Sequence, residues 1–188
     1  MYNQYYSKLL PPANLSHCDV DHLTGRVEMK MNLSMINDKI HEWLASINIA
    51  IHNARCLYKA PGISGSLHID RADDVHGNIS RLNWVFGGED GYTEWFKPLP
   101  DYTPIAYPNY LNEMITTYDT EKCTSVCKAY LNGLNLINTG VPHIAKNGQS
   151  SPRYCYAFFI KDLHSKNDLL TYPEALARLQ PWVTNIAQ

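Results

Sequence analysis

Leu134-Asn135-Leu136-Ile137-Asn138, then Thr139-Gly140, then Val141-Pro142-His143-Ile144-Ala145-Lys146, then Asn147-Gly148 and finally Arg153-Tyr154-Cys155-Tyr156-Ala157-Phe158-Phe159-Ile160-Lys161 is the stretch that decides the fold. It reads as short strand, turn, short strand, turn, longer strand. Each apolar run is brief and is bounded by glycine, proline or asparagine, the residues that reverse a chain. The same pattern extends upstream. Strands are expected at Ile49–Tyr58, Ser66–Asp70, Ser80–Phe86, Tyr92–Lys97, Thr124–Leu131, Leu134–Asn138, His143–Lys146 and Arg153–Lys161, with Pro61-Gly62, Gly87-Gly88 and Asn132-Gly133 as further turns. Many short strands at this spacing make a sandwich or barrel. The economical architecture is mainly β, a double-stranded β-helix (jelly roll) with flanking helices.

The flanks read differently. Met35, Ile36, Ile40, Trp43, Leu44 and Ile47 recur at helical spacing after Ser34, which predicts a helix near 35–47 with Ser34 as its N-cap. Thr171-Tyr172-Pro173-Glu174 is a capping box with proline in the first turn, so a second helix is expected over about 172–180, stopped by Pro181. The first thirty residues read as irregular, and Pro98–Asp119, with four prolines and four tyrosines, as an insertion loop over the sheet. The whole, 1–188, is expected to be one domain: an irregular and helical segment to about 48, a β core over about 49–161, and the C-terminal helix.

Composition narrows the class. The 188 residues are 45% hydrophobic and 18% charged, an ordinary globular balance. Net charge is −2 with no basic run, so there is no clear nucleic-acid footprint. No stretch approaches membrane-spanning length, and the N-terminus lacks a signal-like apolar core. Five cysteines are an odd number without disulfide-framework density, which predicts reduced thiols in a cytoplasmic protein. Thirteen tyrosines and four tryptophans suit half-buried sheet faces.

The chemistry gathers on few residues. His68 and Asp70 end a predicted strand and, two apart, point to one face, the placement two ligands of one metal need. His143 follows the turn at Thr139-Gly140. Two imidazoles and a carboxylate can hold a divalent iron on one face and leave the opposite positions open. If a hairpin were centred near Gly148, His143 and Arg153 would face each other across a ladder. The guanidinium would then sit beside the metal, ready to fork onto a carboxylate. A second His-x-Asp, His17-Cys18-Asp19, lies in a proline-flanked segment without strand pattern and is set aside.

At this point the residues resemble a known family. Leu67–Phe86 and Leu136–Ile160 look like the 2-oxoglutarate and Fe(II)-dependent oxygenases, in their short aspartyl/asparaginyl-hydroxylase-like branch, cupin-like in fold. The resemblance implies an iron triad of His68, Asp70 and His143, and Arg153 on the distal carboxylate of 2-oxoglutarate. It implies Arg81 and Asn83, on one face of the strand after His-x-Asp, as further polar residues meeting cosubstrate or substrate. Tyr58 stands where a hydroxyl is expected on the strand before. One departure is Cys155: many relatives carry a serine there, and a thiol is a poor hydrogen-bonding substitute. The implied function is a dioxygenase using Fe(II), 2-oxoglutarate and O2 to hydroxylate a small-molecule or peptide substrate.

Two other readings compete. A non-catalytic jelly-roll module could retain an inert metal site, and a cupin-type dioxygenase or isomerase could use the triad without 2-oxoglutarate, with no use for Arg153. The remaining signals read as structure. Cys123 and Cys127 fit strand packing better than a zinc site shared with Cys18 and His22. His76 reads as a solvated loop residue, Glu94, Trp95 and Phe96 as strand, Trp84 as core, and His52 and His164 as ordinary histidines.

Overall fold

The computed structural model describes residues 3–11, 28–70, 79–108, 114–166 and 168–184. Twelve strands occur among them: β1 Tyr6–Lys8, β2 Glu28–Met31, β3 Ile49–Lys59, β4 His68–Ile69, β5 Ser80–Gly87, β6 Tyr92–Pro98, β7 Ile105–Pro108, β8 Met114–Thr117, β9 Cys123–Ala129, β10 Gly133–Asn138, β11 His143–Lys146 and β12 Arg153–Asp162. Helix α1 spans Asp38–Ala45 and α2 spans Tyr172–Leu179. The strands form two six-stranded sheets, ordered β1-β10-β5-β12-β3-β2 and β7-β8-β4-β11-β6-β9. From β3 onward the chain steps back and forth between the sheets, which winds β3–β6 and β9–β12 into a jelly roll. The expected fold class holds.

Period-two alternation gives the first sheet two different faces. Leu82, Leu134, Leu136, Phe158 and Ile160 join one apolar cluster with Ile40, Trp43 and Leu44 of α1 and Tyr172, Ala175 and Leu179 of α2. This is the outer, helix-covered face. Val85, Ile137, Cys155 and Ala157 face inward and pack with Trp95 of the second sheet. Strand β12 lies between β3 and β5, so residues 155–160 are all buried and the run reads apolar on both faces.

Capping explains where the helices begin. Asn37 accepts a hydrogen bond from Lys39 N and starts α1, while Ile36 is extended. The expected helix from 35 therefore opens as a separate 3-10 turn, Leu33–Met35, capped by Asn32 rather than Ser34. It stops at Ala45, and Asn48, with φ of 59°, turns the chain into β3. The capping box of α2 forms as expected, with Thr171 and Glu174 bonding reciprocally; the chain beyond Leu179 tightens into a 3-10 turn through Pro181.

Three expectations change. Residues 98–119 carry β7 and β8, paired with each other and with β4 at the sheet edge, where proline costs no ladder bond. The first thirty residues include β1, an edge strand on β10, and the start of β2, an edge strand on β3. Both are too short to show periodicity. Most consequentially, β11 and β12 do not pair. Strand β11 lies between β4 and β6, and β12 between β3 and β5, so the turn at Asn147-Gly148 crosses from one sheet to the other.

Candidate metal centre

Pairing of β11 with β4 sets His143 directly opposite His68. Their ring centroids are 4.9 Å apart, tilted by 41°. Nδ1 of His68 lies 2.8 Å from the Ser66 carbonyl and Nδ1 of His143 lies 2.9 Å from that of Val141. A carbonyl only accepts, so each Nδ1 carries the proton and each Nε2 is the free ligand atom. Asp70 follows β4 and is held by its N–H on Thr139 O at 3.3 Å. Its Oδ1 is 3.2 Å from His68 Nε2. One ligand atom from each of the three residues lies within 4.8 Å of the other two, a spread one cation can bridge with small side-chain rotations. Among the described residues this is the cluster of its kind.

Electrostatics favour a cation here. Burial alone would raise Asp70, but the Arg81 charge and the His68 contact hold its carboxyl well below the usual carboxylate range. Burial lowers His143 to about 4, which keeps that ring neutral and its lone pair available. Burial also works against a charged His68, but the Asp70 hydrogen bond and charge outweigh it and raise its pKa. A proton between His68 and Asp70 thus stands where a divalent cation would bind.

Arg81 lies on the inner face of β5 beside this cluster. Its Nε is 3.0 Å from Asp70 Oδ2, an ion pair, and its guanidinium stacks 3.7 Å over the Phe159 ring. It orients Asp70 from behind. Asn83, two residues on, shares the inner face, and its Oδ1 is buried without a hydrogen-bond partner. The same holds for Asn53 Oδ1 on β3, across β12.

Arg153 opens β12 and is 5% exposed. Gly88 (φ 56°) makes room for it, since a Cβ there would sit 2.6 Å from Arg153 Cβ. Its Nη2 donates to Thr93 Oγ1 at 3.3 Å, while Nε has no partner. Burial lowers its pKa, yet a guanidinium stays charged. Among the described residues no carboxylate pairs with it. Thr93 is two residues before Trp95, which is the cross-strand partner of His143. The anchored guanidinium is therefore one same-face step, about 6.7 Å, along β6 from the histidine. The direct ladder expected between His143 and Arg153 does not exist; the guanidinium crosses the sandwich to reach the neighbourhood of the histidine.

Tyr58 is not brought into this group. It pairs with Tyr154 on the opposite face of the first sheet, ring centroids 5.3 Å apart. The inward residue next to it is Lys59, which sequence reasoning passed over; alternation along Asn53, Arg55, Leu57 and Lys59 was the available signal. Cys155 faces inward beside Arg153, and burial pushes its thiol up to about 11. Trp84 packs against the helix-covered core, and Glu94 pairs with Lys146 at 3.3 Å outside the sandwich. Cys127 packs with the inner cluster and Cys123 with Leu67, Phe96 and Ile144 on the other face of the second sheet, separated by a bulge, so they share no metal. His17, Cys18, Asp19, His22 and His76 lie outside the described residues.

No family model matches the chain, and no curated protein does. Similarity is found with solved structures. EvdMO1 is 13% identical over 80% of this chain and 39% of its own, with a TM-score of 0.45. The nickel complex of the non-heme monooxygenase ThoJ is 11% identical over 71% of this chain and 56% of its own, TM-score 0.37. EvdO2 from Micromonospora carbonacea var. aurantiaca, complexed with 2-oxoglutarate, is 13% identical over 71% and 61%, TM-score 0.36. The chain thus spans less than two thirds of the length of these proteins. The jelly-roll fold rests on the strand order of the chain itself.

Proposed function

We propose that the protein is a non-haem Fe(II)- and 2-oxoglutarate-dependent dioxygenase that hydroxylates a small-molecule or peptide substrate. The observation that carries this reading is the pairing of two features on one sandwich interior. Two inward Nε2 atoms and a carboxylate converge, and a buried guanidinium without a carboxylate partner among the described residues lies one strand step away. Two nitrogens and one oxygen on one side are the donor set of a facial iron(II) site with open positions. The unpartnered Nε of Arg153 fits a ligand that brings its own anion. Iron(II) with 2-oxoglutarate supplies, when bound, oxidation of a C–H bond by O2 coupled to conversion of the keto acid to succinate and CO2.

The residues of the chain supply position and enclosure. His68, Asp70 and His143 hold the metal, and Arg81 keeps the Asp70 carboxylate ionised and turned toward it. Arg153 binds the far carboxylate of the cosubstrate, and Asn83 offers a polar group on the same face. Trp95, Ala157 and Phe159 line the interior and exclude water. The free thiols of Cys123, Cys127 and Cys155 fit a reducing, cytoplasmic setting. No helix among the described residues is long and apolar enough to cross a membrane.

One observation favours the second reading, a binding module with an inert metal site: the protonated Cys155 thiol offers little to a carboxylate. A single experiment separates the two. Anaerobic addition of Fe(II) and 2-oxoglutarate should give a weak visible charge-transfer band, and O2 should then release succinate. Folded protein that does neither refutes the dioxygenase reading.

A further inference from the structure

We propose that Trp95 and the rings of Tyr6 and Tyr5 stacked against it form a protective electron relay, which carries surplus oxidising equivalents from the metal centre to an anionic reductant at the surface. This rests on the dioxygenase reading and adds an activity to it, the disposal of an oxidant that finds no substrate.

The relay starts at the metal rung. Trp95 on β6 is the direct cross-strand partner of His143, and both face inward. Directly opposed side chains have Cβ atoms about 4.5–5.5 Å apart, so the indole is the neighbour of a candidate metal ligand. It is fully buried, and its Nε1 donates to Asn138 O at 3.1 Å. That carbonyl steadies positive charge on the ring, which can lose an electron while keeping its proton. Phe159, the aromatic ring behind Arg81, is unsuited to the same task. The Arg81 guanidinium lies 3.7 Å from its centroid, and a cation over the ring face opposes removal of an electron.

Two tyrosines lead outward. The Tyr6 ring stacks on Trp95 with centroids 5.7 Å apart and planes 15° from parallel, and the Tyr5 ring lies 6.1 Å from Trp95 at 36°. Both separations are those of aromatic contact. Strand β1 is at the edge of its sheet, and both tyrosines are half-buried. Burial, and then the charge of Cys127, raises the pKa of Tyr6, so its phenol holds its proton until it is oxidised. Tyr5 lines an outward cleft of about 460 Å³ in which Lys97 is the charged wall among the described residues. A small enediolate such as ascorbate has the charge for that cleft.

The electrons balance. Turnover without substrate converts 2-oxoglutarate and O2 to succinate and CO2 and leaves one oxygen atom at the metal, two electrons short of water. Trp95 gives one electron inward and takes one from a tyrosine, whose phenolic proton passes to water. Repeated once, this supplies both electrons. The oxygen atom takes two protons from solvent and leaves as water, the tyrosines are restored, and one ascorbate becomes dehydroascorbate.

The test is turnover of Fe(II)-loaded protein with 2-oxoglutarate and O2, without substrate and with catalase present, read by freeze-quench electron paramagnetic resonance and peptide mass spectrometry. Wild type should show a tyrosyl radical and oxidised adducts on Tyr5 and Tyr6, and ascorbate should suppress both. The double variant Tyr5→Phe, Tyr6→Phe should lose the signal and shift the adducts to Trp95 and its interior neighbours, with the initial rate of succinate release unchanged. Trp95→Phe should lose the tyrosyl signal with both tyrosines in place, which damage by a diffusing oxidant would not do. Melting and metal titration check each variant. If Trp95→Phe unfolds, the double variant, altered only at half-buried rings, carries the test. Three outcomes overturn the relay alone: succinate release by wild type without oxidation of Tyr5 or Tyr6, a tyrosyl signal that survives Trp95→Phe, or a double variant whose interior stays unmodified. Metal-loaded wild type that releases no succinate overturns the dioxygenase reading and the relay with it.

Discussion

The outer and inner faces of the first sheet use the same strands and alternate residues, yet their chemistry is opposite. Outward, Leu82, Phe158 and Ile160 meet two helices through apolar contact, and each such buried side chain contributes roughly 1.5–3 kcal/mol. Inward, the same strands bury Arg55, Arg81 and Arg153, each at most 7% exposed, with Asn53 and Asn83 nearby. Burying polar groups without full pairing costs stability. One face holds the fold together while the other keeps polar groups that are incompletely satisfied.

Substitutions on the two faces should therefore separate binding from stability. The largest effect is expected at His68: His68→Ala should abolish stoichiometric binding of Fe(II) or a surrogate dication in calorimetric titration. Because the ring is partly exposed, unfolding stability should move by no more than about 1 kcal/mol. If metal affinity survives, the inner face is not a metal site. Phe158→Ala, one face away, should cost about 3–5 kcal/mol in denaturant unfolding, with metal affinity unchanged in the protein that remains folded. A coupled loss of both would dissolve the division of labour. Arg81→Met tests the contact behind the triad; metal affinity should drop about 10–100-fold because Asp70 loses its orienting partner.

The smallest effect belongs to the helix that covers the outer face. Thr171→Ala removes the cap of α2 and should cost about 1 kcal/mol at neutral pH. Hydrogen bonds from Thr171, side chain first and then backbone, lower the pKa of Glu174. A depressed carboxyl stabilises the fold above its unfolded pKa, about 4.3, and that contribution fades as pH falls through the lower folded value. The gap between Thr171→Ala and wild type should therefore narrow in acid, as melting curves at two pH values would show.

How far this division was legible in the sequence follows from period and length. Strands of six residues or more announced themselves within one or two residues, because turn residues bound them and one or both of their faces are apolar. The short strands β1, β7 and β8 did not, since three or four residues give no period and Pro104 and Pro108 mimic a loop. His68, Asp70 and His143 could be singled out by residue type and motif. Their convergence could not, because the pairing of β4 with β11 joins residues 75 positions apart. Arg153 was noticed for an incorrect reason. A glycine-bearing turn between two strands reads as a hairpin, and nothing local distinguishes a reversal within a sheet from a step to the facing one. Tyr58 drew attention by its hydroxyl, but alternation along β3 turns it toward Tyr154 on the face away from the triad.

The position of β12 has a bearing on how the molecule is made. Strands β3 and β5 flank it but have no ladder with each other, and both leave the ribosome more than sixty residues before Arg153 does. Until then the first sheet is two fragments with a strand-wide slot between them, and the edges that will border Ala157 and Phe159 are open. Pairings of such sequence separation are slow to form. The strand that carries Arg153 is thus also the one that closes the sheet, so the buried guanidinium takes its place in the same step that joins the two fragments.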